Sequence, residues 1–308
     1  MYTAHEPVLY HEIIHALRPK SGGLYVDGTL GAGGHARGIL EACTPAGRLI
    51  GLDVDPQALT LARENLAPYS DRTRLIQASY VLLETILQED AASPVDGILL
   101  DLGASSMQFD TPERGFSFQA DGPLDMRFDP TRPGTASDLV NNLPERELAD
   151  ILFRYGEERA ARRIAQAIVR NRPLRTTRQL SDVIEAVSRR GEAQHPATRT
   201  FQALRIAVNE ELEAIEKVLP QVVRVLRPGG RLAIISFHSL EDRIVKTFIR
   251  RESRDCICPP RQPICTCGHK ASLKEINRHP LTATEEEIER NPRSRSAKLR
   301  VAEKIVQE

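Results

Sequence analysis

Four short apolar runs between Gly23 and Gly103 alternate with stretches of helical period, and that alternation leaves few folds open. The runs are GLYVDGTLG (Gly23–Gly31), GRLIGLDVD (Gly47–Asp55), TRLIQAS (Thr73–Ser79) and VDGILLDLG (Val95–Gly103), each closed by turn residues. In the intervening PQALTLARENLAPY and YVLLETILQED, apolar residues return every three or four positions. Strands alternating with helices need right-handed crossovers. That predicts an α/β fold with a mostly parallel, Rossmann-like sheet covered on both faces. A fifth run, GRLAIISFH (Gly230–His238), completes the expected set. Ligands of such sheets bind beyond the carboxyl ends of the strands.

More than a hundred residues separate the fourth run from the fifth, too many for one crossover. Within that gap ERELADILFRYGEERAARRIAQAIV, TRQLSDVIEAVSRR and TRTFQALRIAVNEELEAIEKVLPQVVRVL all carry helical spacing. A chain of 308 residues has room for such an insertion. The expected organisation is a first part of the core at 1–107, an inserted α-helical domain at 108–212, and a second part of the core with a basic C-terminal tail at 213–308. The insert leaves the sheet at its ligand end, where a substrate-recognition element would be useful.

Basic and acidic residues number 42 each, so the average charge says little about a polyanionic partner. Local asymmetry says more. RYGEERAARRIAQAIVRNRPLRTTR (Arg154–Arg178) holds eight arginines against two glutamates, and RNPRSRSAKLR (Arg290–Arg300) holds five basic residues and no acid. Such clusters are either solvated faces or a footprint for a phosphate backbone. No apolar run approaches bilayer length, and MYTAHEPVLYHEII has neither a basic n-region nor an apolar h-region. The expectation is a cytoplasmic protein that makes no membrane contact, with its five cysteines reduced.

GAGGHA follows the first strand and fits the loose pattern G-x-G-x-x-G/A, with Asp53 about twenty residues further on. An acid there accepts hydrogen bonds from a ribose. NAD and S-adenosylmethionine share that ribose, so the pair alone does not choose between a dehydrogenase and a methyltransferase. Asp27, just ahead of the loop, could reach the ammonium of an amino acid, a group NAD lacks; it could equally cap the loop backbone. VLRPGGRLAII (Val225–Ile235) reads as a helix, a Pro-Gly-Gly turn and a buried strand, an order typical of the late sheet in S-adenosylmethionine-dependent methyltransferases. Asp101, in DLGASSMQ, ends the fourth strand on the same side as the loop and Asp53.

The chain resembles, nearly end to end, the RsmH (MraW) family of bacterial 16S rRNA cytosine-N4 methyltransferases. The resemblance rests on HEPVL (His5–Leu9), DGTLGAGGH (Asp27–His35), DVD (Asp53–Asp55), LLDLGASSMQ (Leu99–Gln108) and RGFSF (Arg114–Phe118). It continues in PLDMR (Pro123–Arg127), YGEE (Tyr155–Glu158), SFHSLEDR (Ser236–Arg243) and NPRSRSAKLRVAEK (Asn291–Lys304). It implies a class I S-adenosylmethionine-dependent methyltransferase fold and S-adenosyl-L-methionine as cofactor. It also implies N4-methylation of a cytidine in 16S rRNA as the reaction, with the rRNA or the 30S subunit as partner. The family's cofactor contacts fall on Gly33, Gly34, His35, Asp53, Tyr80, Asp101 and Gln108. Tyr80 stands where the family often has Phe, and Ala36 where Ser is frequent. A non-enzymatic RNA-binding assembly factor on the same fold remains the other reading, although an eroded loop would then be expected. The oligomeric state is open.

The chemistry adds three catalytic candidates. The lone pair of cytosine N4 is delocalised into the ring, so an acceptor aimed at an N4–H would favour the localised form and take the proton. Asp101 is the candidate for that acceptor, with Ser105 and Ser106 as supporting polar contacts and His238 as a second contact to the base; each has an ordinary structural explanation as well. A base inside folded RNA must be turned outward, and the arginine clusters would grip the phosphates. CICPPRQPICTCGH places Cys256, Cys258, Cys265 and Cys267 as two C-x-C pairs with His269 behind them. A tetrahedral zinc and reduced free thiols are both open readings, and no metal site is assigned from the sequence.

Overall fold

The computed structural model describes residues 7–188, 195–260, 262 and 264–306, so His5 and Glu6 of HEPVL lie outside the described residues. The chain divides into two compact units, one of Met1–Gly103 with Leu212–Glu308 and the other of Ala104–Glu211. The second unit begins four residues before the expected boundary at 108 and ends one residue before 212.

Among the described residues the first unit is built on seven strands, two more than the apolar runs predict. They are β1 (Leu24–Asp27), β2 (Arg48–Asp53), β3 (Thr73–Gln77), β4 (Val95–Asp101), β5 (Leu226–Ser236), β6 (Leu273–Glu275) and β7 (Lys298–Lys304). Their order is β3-β2-β1-β4-β5-β7-β6, with β1 to β5 parallel and β7 antiparallel to both β5 and β6. This order, with one reversed strand slotted in beside the edge, is that of class I S-adenosylmethionine-dependent methyltransferases.

Side-chain alternation sends each strand to two cores. Val26, Ile98, Leu100, Leu232 and Ile234 enter one, while Tyr25, Leu99, Ala233 and Ile235 enter the other. Helices α1 (Tyr10–Leu17), α2 (Gly34–Ala42) and α3 (Pro56–Asn65) cover the second core through Ile13, Ile39 and Leu59. The first core is closed by α4 (Leu83–Glu89) through Leu87 and, later in the chain, by two helices that flank β5.

The Pro-Gly-Gly turn expected before the fifth strand lies inside it. Val95 pairs with Leu226 and Gly97 pairs with Arg231, so Arg227–Gly230 bulge out of the β4 ladder, with Gly229 at φ +79°. Glycine carries that left-handed position without strain.

The second unit is helical: α5 (Ser106–Asp110), α6 (Ala136–Asn142), α7 (Glu145–Gly156), α8 (Ala161–Arg170), α9 (Thr177–Val187) and α10 (Ala197–Asn209). Its own core gathers Leu148, Leu152, Ile164, Ile168, Leu180, Ile184, Phe201 and Leu204. Two runs that read as single helices are broken at a glutamate. Glu157 (φ 48°) ends α7 before α8, and Glu210 (φ 52°) ends α10 before α11 (Glu211–Val225). Gly156 lets α7 approach α10 closely, since a Cβ there would sit 2.6 Å from the Arg199 carbonyl oxygen. Leu219 and Val222 of α11, and Val245 and Ile249 of α12 (Ser239–Glu252), complete the first core of the sheet unit; a short α13 (Glu285–Arg290) precedes β7.

The basic tail is in part a strand. Lys298 and Arg300 belong to β7, and Arg300 is buried with its guanidinium on Asp242, at 2.6 and 3.2 Å. Arg300 is therefore not a free grip for phosphate. Among the described residues, no helix is long and apolar enough to cross a membrane.

Candidate cofactor and active site

The strand order reverses between β1 and β4, and it is beside that switch point that open α/β sheets take their ligands. Three carboxylates end strands there: Asp27 on β1, Asp53 on β2 and Asp101 on β4. The glycine loop runs between the first two. Gly28 donates its N–H to the Leu99 carbonyl and Leu30 donates to Leu52, which pins the loop to both neighbouring strands at 2.9 Å.

Within the loop the glycines have separate reasons. Gly31 (φ +53°) points its N–H at Asp53 Oδ2, 2.7 Å away, and a side chain there would meet open space. Gly33 (φ +83°) is the left-handed residue that starts α2. Gly34 is bare for a different reason, because a Cβ there would lie 2.5 Å from Pro7 Cγ. That glycine makes room for the chain's own N-terminal segment. Thr29, which pattern matching passes over, ties the site together. Its N–H donates to Asp27 Oδ1 at 3.2 Å, and its hydroxyl oxygen accepts from the Asp101 N–H at 2.6 Å.

Electrostatically the three acids are uncomfortable. Burial pushes Asp27 up to about 7, with the Asp53 charge adding to it and the Thr29 hydrogen bonds opposing. Asp53 is pushed up to about 6, again chiefly by burial, although it accepts from the Gly31 and Asp55 backbones. Asp101 is held well above the usual carboxylate range by burial, then by the charges of Asp27 and Glu241. Among the described residues no basic side chain offsets them. His35, in the first turn of α2, comes within 3.7 Å of Asp101, but burial lowers it to about 4 and keeps it neutral. Asp101 Oδ1 and both His35 ring nitrogens are buried without a hydrogen-bond partner among the described residues. Such a cluster fits a ligand that brings positive charge and hydrogen-bonding groups. An amino acid ammonium and a sulfonium are charges of that kind, so these residues fit S-adenosylmethionine.

Tyr80 opens a single 3₁₀ turn after β3 and packs against the first core, with its Cβ facing Gly28. Asp55 of the DVD motif is fully buried and caps α3 through the Gln57 N–H. His238 caps α12: its Nδ1 accepts from the Glu241 N–H at 3.4 Å, and its Nε2 lies 3.1 Å from Glu241 Oε1. Glu241 also accepts from the backbones of Phe237 and His238. The cap engages Nδ1, while Nε2 is buried without a hydrogen-bond partner among the described residues.

In the second unit Ser105 and Gln108 are committed to one another. Ser105 Oγ accepts from the Gln108 N–H at 3.3 Å, and Gln108 Oε1 accepts from the Ser105 N–H at 3.0 Å. That reciprocal pair is a capping box at the start of α5, and it engages the Ser105 hydroxyl oxygen expected to assist catalysis. Of the arginine cluster, Arg154, Arg159, Arg162, Arg163, Arg170, Arg175 and Arg178 are exposed. Arg172 is not part of that surface, since its guanidinium donates to the Val140 and Leu143 carbonyls at 2.7 and 2.6 Å.

Comparison with known proteins agrees with this geometry. The ribosomal RNA small subunit methyltransferase H of Heliobacterium mobile is 52% identical over 308 residues, spanning 98% of this chain and 99% of the relative. The protein of the same name from Geotalea uraniireducens is 55% identical over 98% of both chains. That of Geobacter sulfurreducens is 53% identical over 99% of this chain and the whole of the relative. A putative rRNA-methylase structure from Clostridium thermocellum overlaps 96% of this chain and 95% of its own, at 12% identity and a TM-score of 0.45, too loose a match to bear on the site. A methylase of this fold takes S-adenosylmethionine as its cofactor, which leaves no place for the dehydrogenase reading. The model of the MraW methylase family matches residues 2–305, and the chain belongs to that family.

Proposed function

We propose that this protein transfers a methyl group from S-adenosylmethionine to N4 of a cytidine in the 16S rRNA of the small ribosomal subunit. The observation that carries the reading is the convergence of Asp27, Asp53 and Asp101 at the switch point, each raised above the ordinary carboxylate range and none offset by a basic side chain among the described residues. Bound S-adenosylmethionine supplies a methyl group made electrophilic by its sulfonium. Asp53 and the Gly31 N–H that it accepts hold the ribose end of the site. Asp27, with Thr29 beside it, faces the ammonium end, and Tyr80 offers an aromatic face to the adenine.

Asp101 accepts a hydrogen bond from the N4 amine, keeps its lone pair localised for attack, and takes the proton the amine sheds. A neighbouring cation restores the ionised form that this task requires. Ser105 and Gln108 act by fixing the start of α5, and His238 by fixing the start of α12. The exposed arginines of the second unit hold the RNA through its phosphates, and that unit serves substrate recognition.

The test is to incubate the protein with labelled S-adenosylmethionine and either free 16S rRNA or 30S subunits, then digest and identify the modified nucleoside. N4-methylcytidine is expected; its absence under both conditions overturns the reading. Asp101→Ala should reduce methyl transfer at least a hundredfold, on the scale of a lost general base. Full turnover in that variant would remove Asp101 from the mechanism.

A further inference from the structure

The two C-x-C pairs sit in the segment between α12 and β6, within the sheet unit. Cys256 and Cys267 Sγ lie 3.9 Å apart, Cys256 and Cys265 3.5 Å, Cys258 and Cys265 4.0 Å, and Cys265 and Cys267 3.6 Å. All four sulfurs lie within 4.8 Å of one another. Sulfurs bound to one zinc at about 2.3 Å in a tetrahedron are about 3.8 Å apart, so these separations are those of the edges of a ZnS₄ centre. All four are free thiols.

We propose that Cys256, Cys258, Cys265 and Cys267 bind a single structural zinc ion.

Three further features fit a metal. The Ile257 N–H is directed at Cys267 Sγ at 3.5 Å, and backbone N–H groups of His269 and Thr266 approach Cys267 and Cys258. Backbone donors aimed at sulfur stabilise thiolate, the form a metal requires. His269 is turned away from the cluster, its Nδ1 on the Arg254 carbonyl at 2.8 Å, so the ligand set is four sulfurs with no imidazole.

Burial gives the third. Among the described residues from 255 to 270 none is buried and only Cys258 and His269 are half-buried, while Ile257 and Ile264 are exposed. A segment with so little apolar burial is not ordered by a core of its own. At its base the neck is closed by the Ser272 N–H on the Glu252 carbonyl, the Ser272 hydroxyl on Glu252 Oε2, and the Ala271 N–H on Asp255. The metal would fasten the far end. Binding displaces the thiol protons, so uptake is accompanied by acidification and weakens at low pH.

The measurement is elemental analysis of the full-length protein, purified without chelator or metal-affinity tag. One zinc per chain is expected. After removal of the metal, cobalt(II) should restore one equivalent and give the visible bands of a tetrahedral thiolate centre. Cys256→Ser combined with Cys267→Ser should lower bound metal at least tenfold while leaving cooperative unfolding of the sheet unit in place. Cys43→Ser, far from the cluster in the second core, should keep it. Less than about a tenth of an equivalent of metal in the wild type, no cobalt spectrum, and four thiols reacting freely with a thiol reagent would overturn the site. Stoichiometric iron in place of zinc would overturn the choice of metal.

Discussion

Asp27 carries the sharpest expectation of any single residue. It is buried, and its carboxyl rises from an ordinary value of 3.8 to about 7 in the unliganded fold. The folded state then binds more protons than the unfolded chain between those two values, so this group's contribution makes stability fall as pH rises from about 4 to about 7. At about 1.4 kcal/mol per unit the swing is at most about 4 kcal/mol. Asp27→Asn should flatten the urea midpoint measured against pH across that window; an unchanged slope would refute the assignment. A bound cation reverses the effect by lowering the carboxyl, so S-adenosylmethionine should release protons when it binds near pH 6. Calorimetry in two buffers of different ionisation enthalpy reads that release directly. At this scale Asp53 was visible from its distance to the glycine loop, and Asp101 from its place after an apolar run. Thr29 and Glu241 were not, because Thr29 meets Asp101 on another strand and Glu241 reads as an ordinary acid in the first turn of a helix.

Caps and breaks decide where the elements end. A histidine at a strand end near the ligand edge reads either as chemistry or as structure, and in the fold His238 is the N-cap of α12. His238→Ala should then cost about 1 kcal/mol of stability, read by thermal or urea unfolding, with little change in cofactor affinity. A large loss of turnover at unchanged stability would return it to the base. The two helix breaks fall on glutamates in the left-handed conformation, Glu157 directly after Gly156 and Glu210 with no glycine or proline beside it, so the second left no mark in the sequence. At the first break the chain turns left-handed at Glu157, whose N–H closes on the Leu152 carbonyl, while Gly156 allows the close approach to α10. The strand β7 was equally hidden. NPRSRSAKLR reads as a charged tail, and its alternation becomes clear once Leu299 and Val301 are seen packed in one core and Ala302 in the other.

Across the whole molecule, the parallel sheet and the presence of a helical insert were legible from periodicity, whereas the edge of the sheet was not. The burial of Arg300 moves the proposed phosphate contacts onto the second unit, where Arg162 and Arg163 lie exposed on α8. Replacing both by glutamate should weaken binding to 16S rRNA by tenfold or more at low salt, with a shallower salt dependence. S-adenosylmethionine affinity should be unchanged, and equal loss of both affinities would point to misfolding.

The insertion also has a consequence in time. β4 is complete at Asp101, but the strand that pairs with its free side begins only at Leu226, and β7 comes later still. At roughly 5–20 residues per second, a ribosome leaves that edge waiting for about ten seconds. The second unit has a core of its own and can fold within that pause. Order of synthesis thus makes the insert a finished body before the sheet that carries it can close.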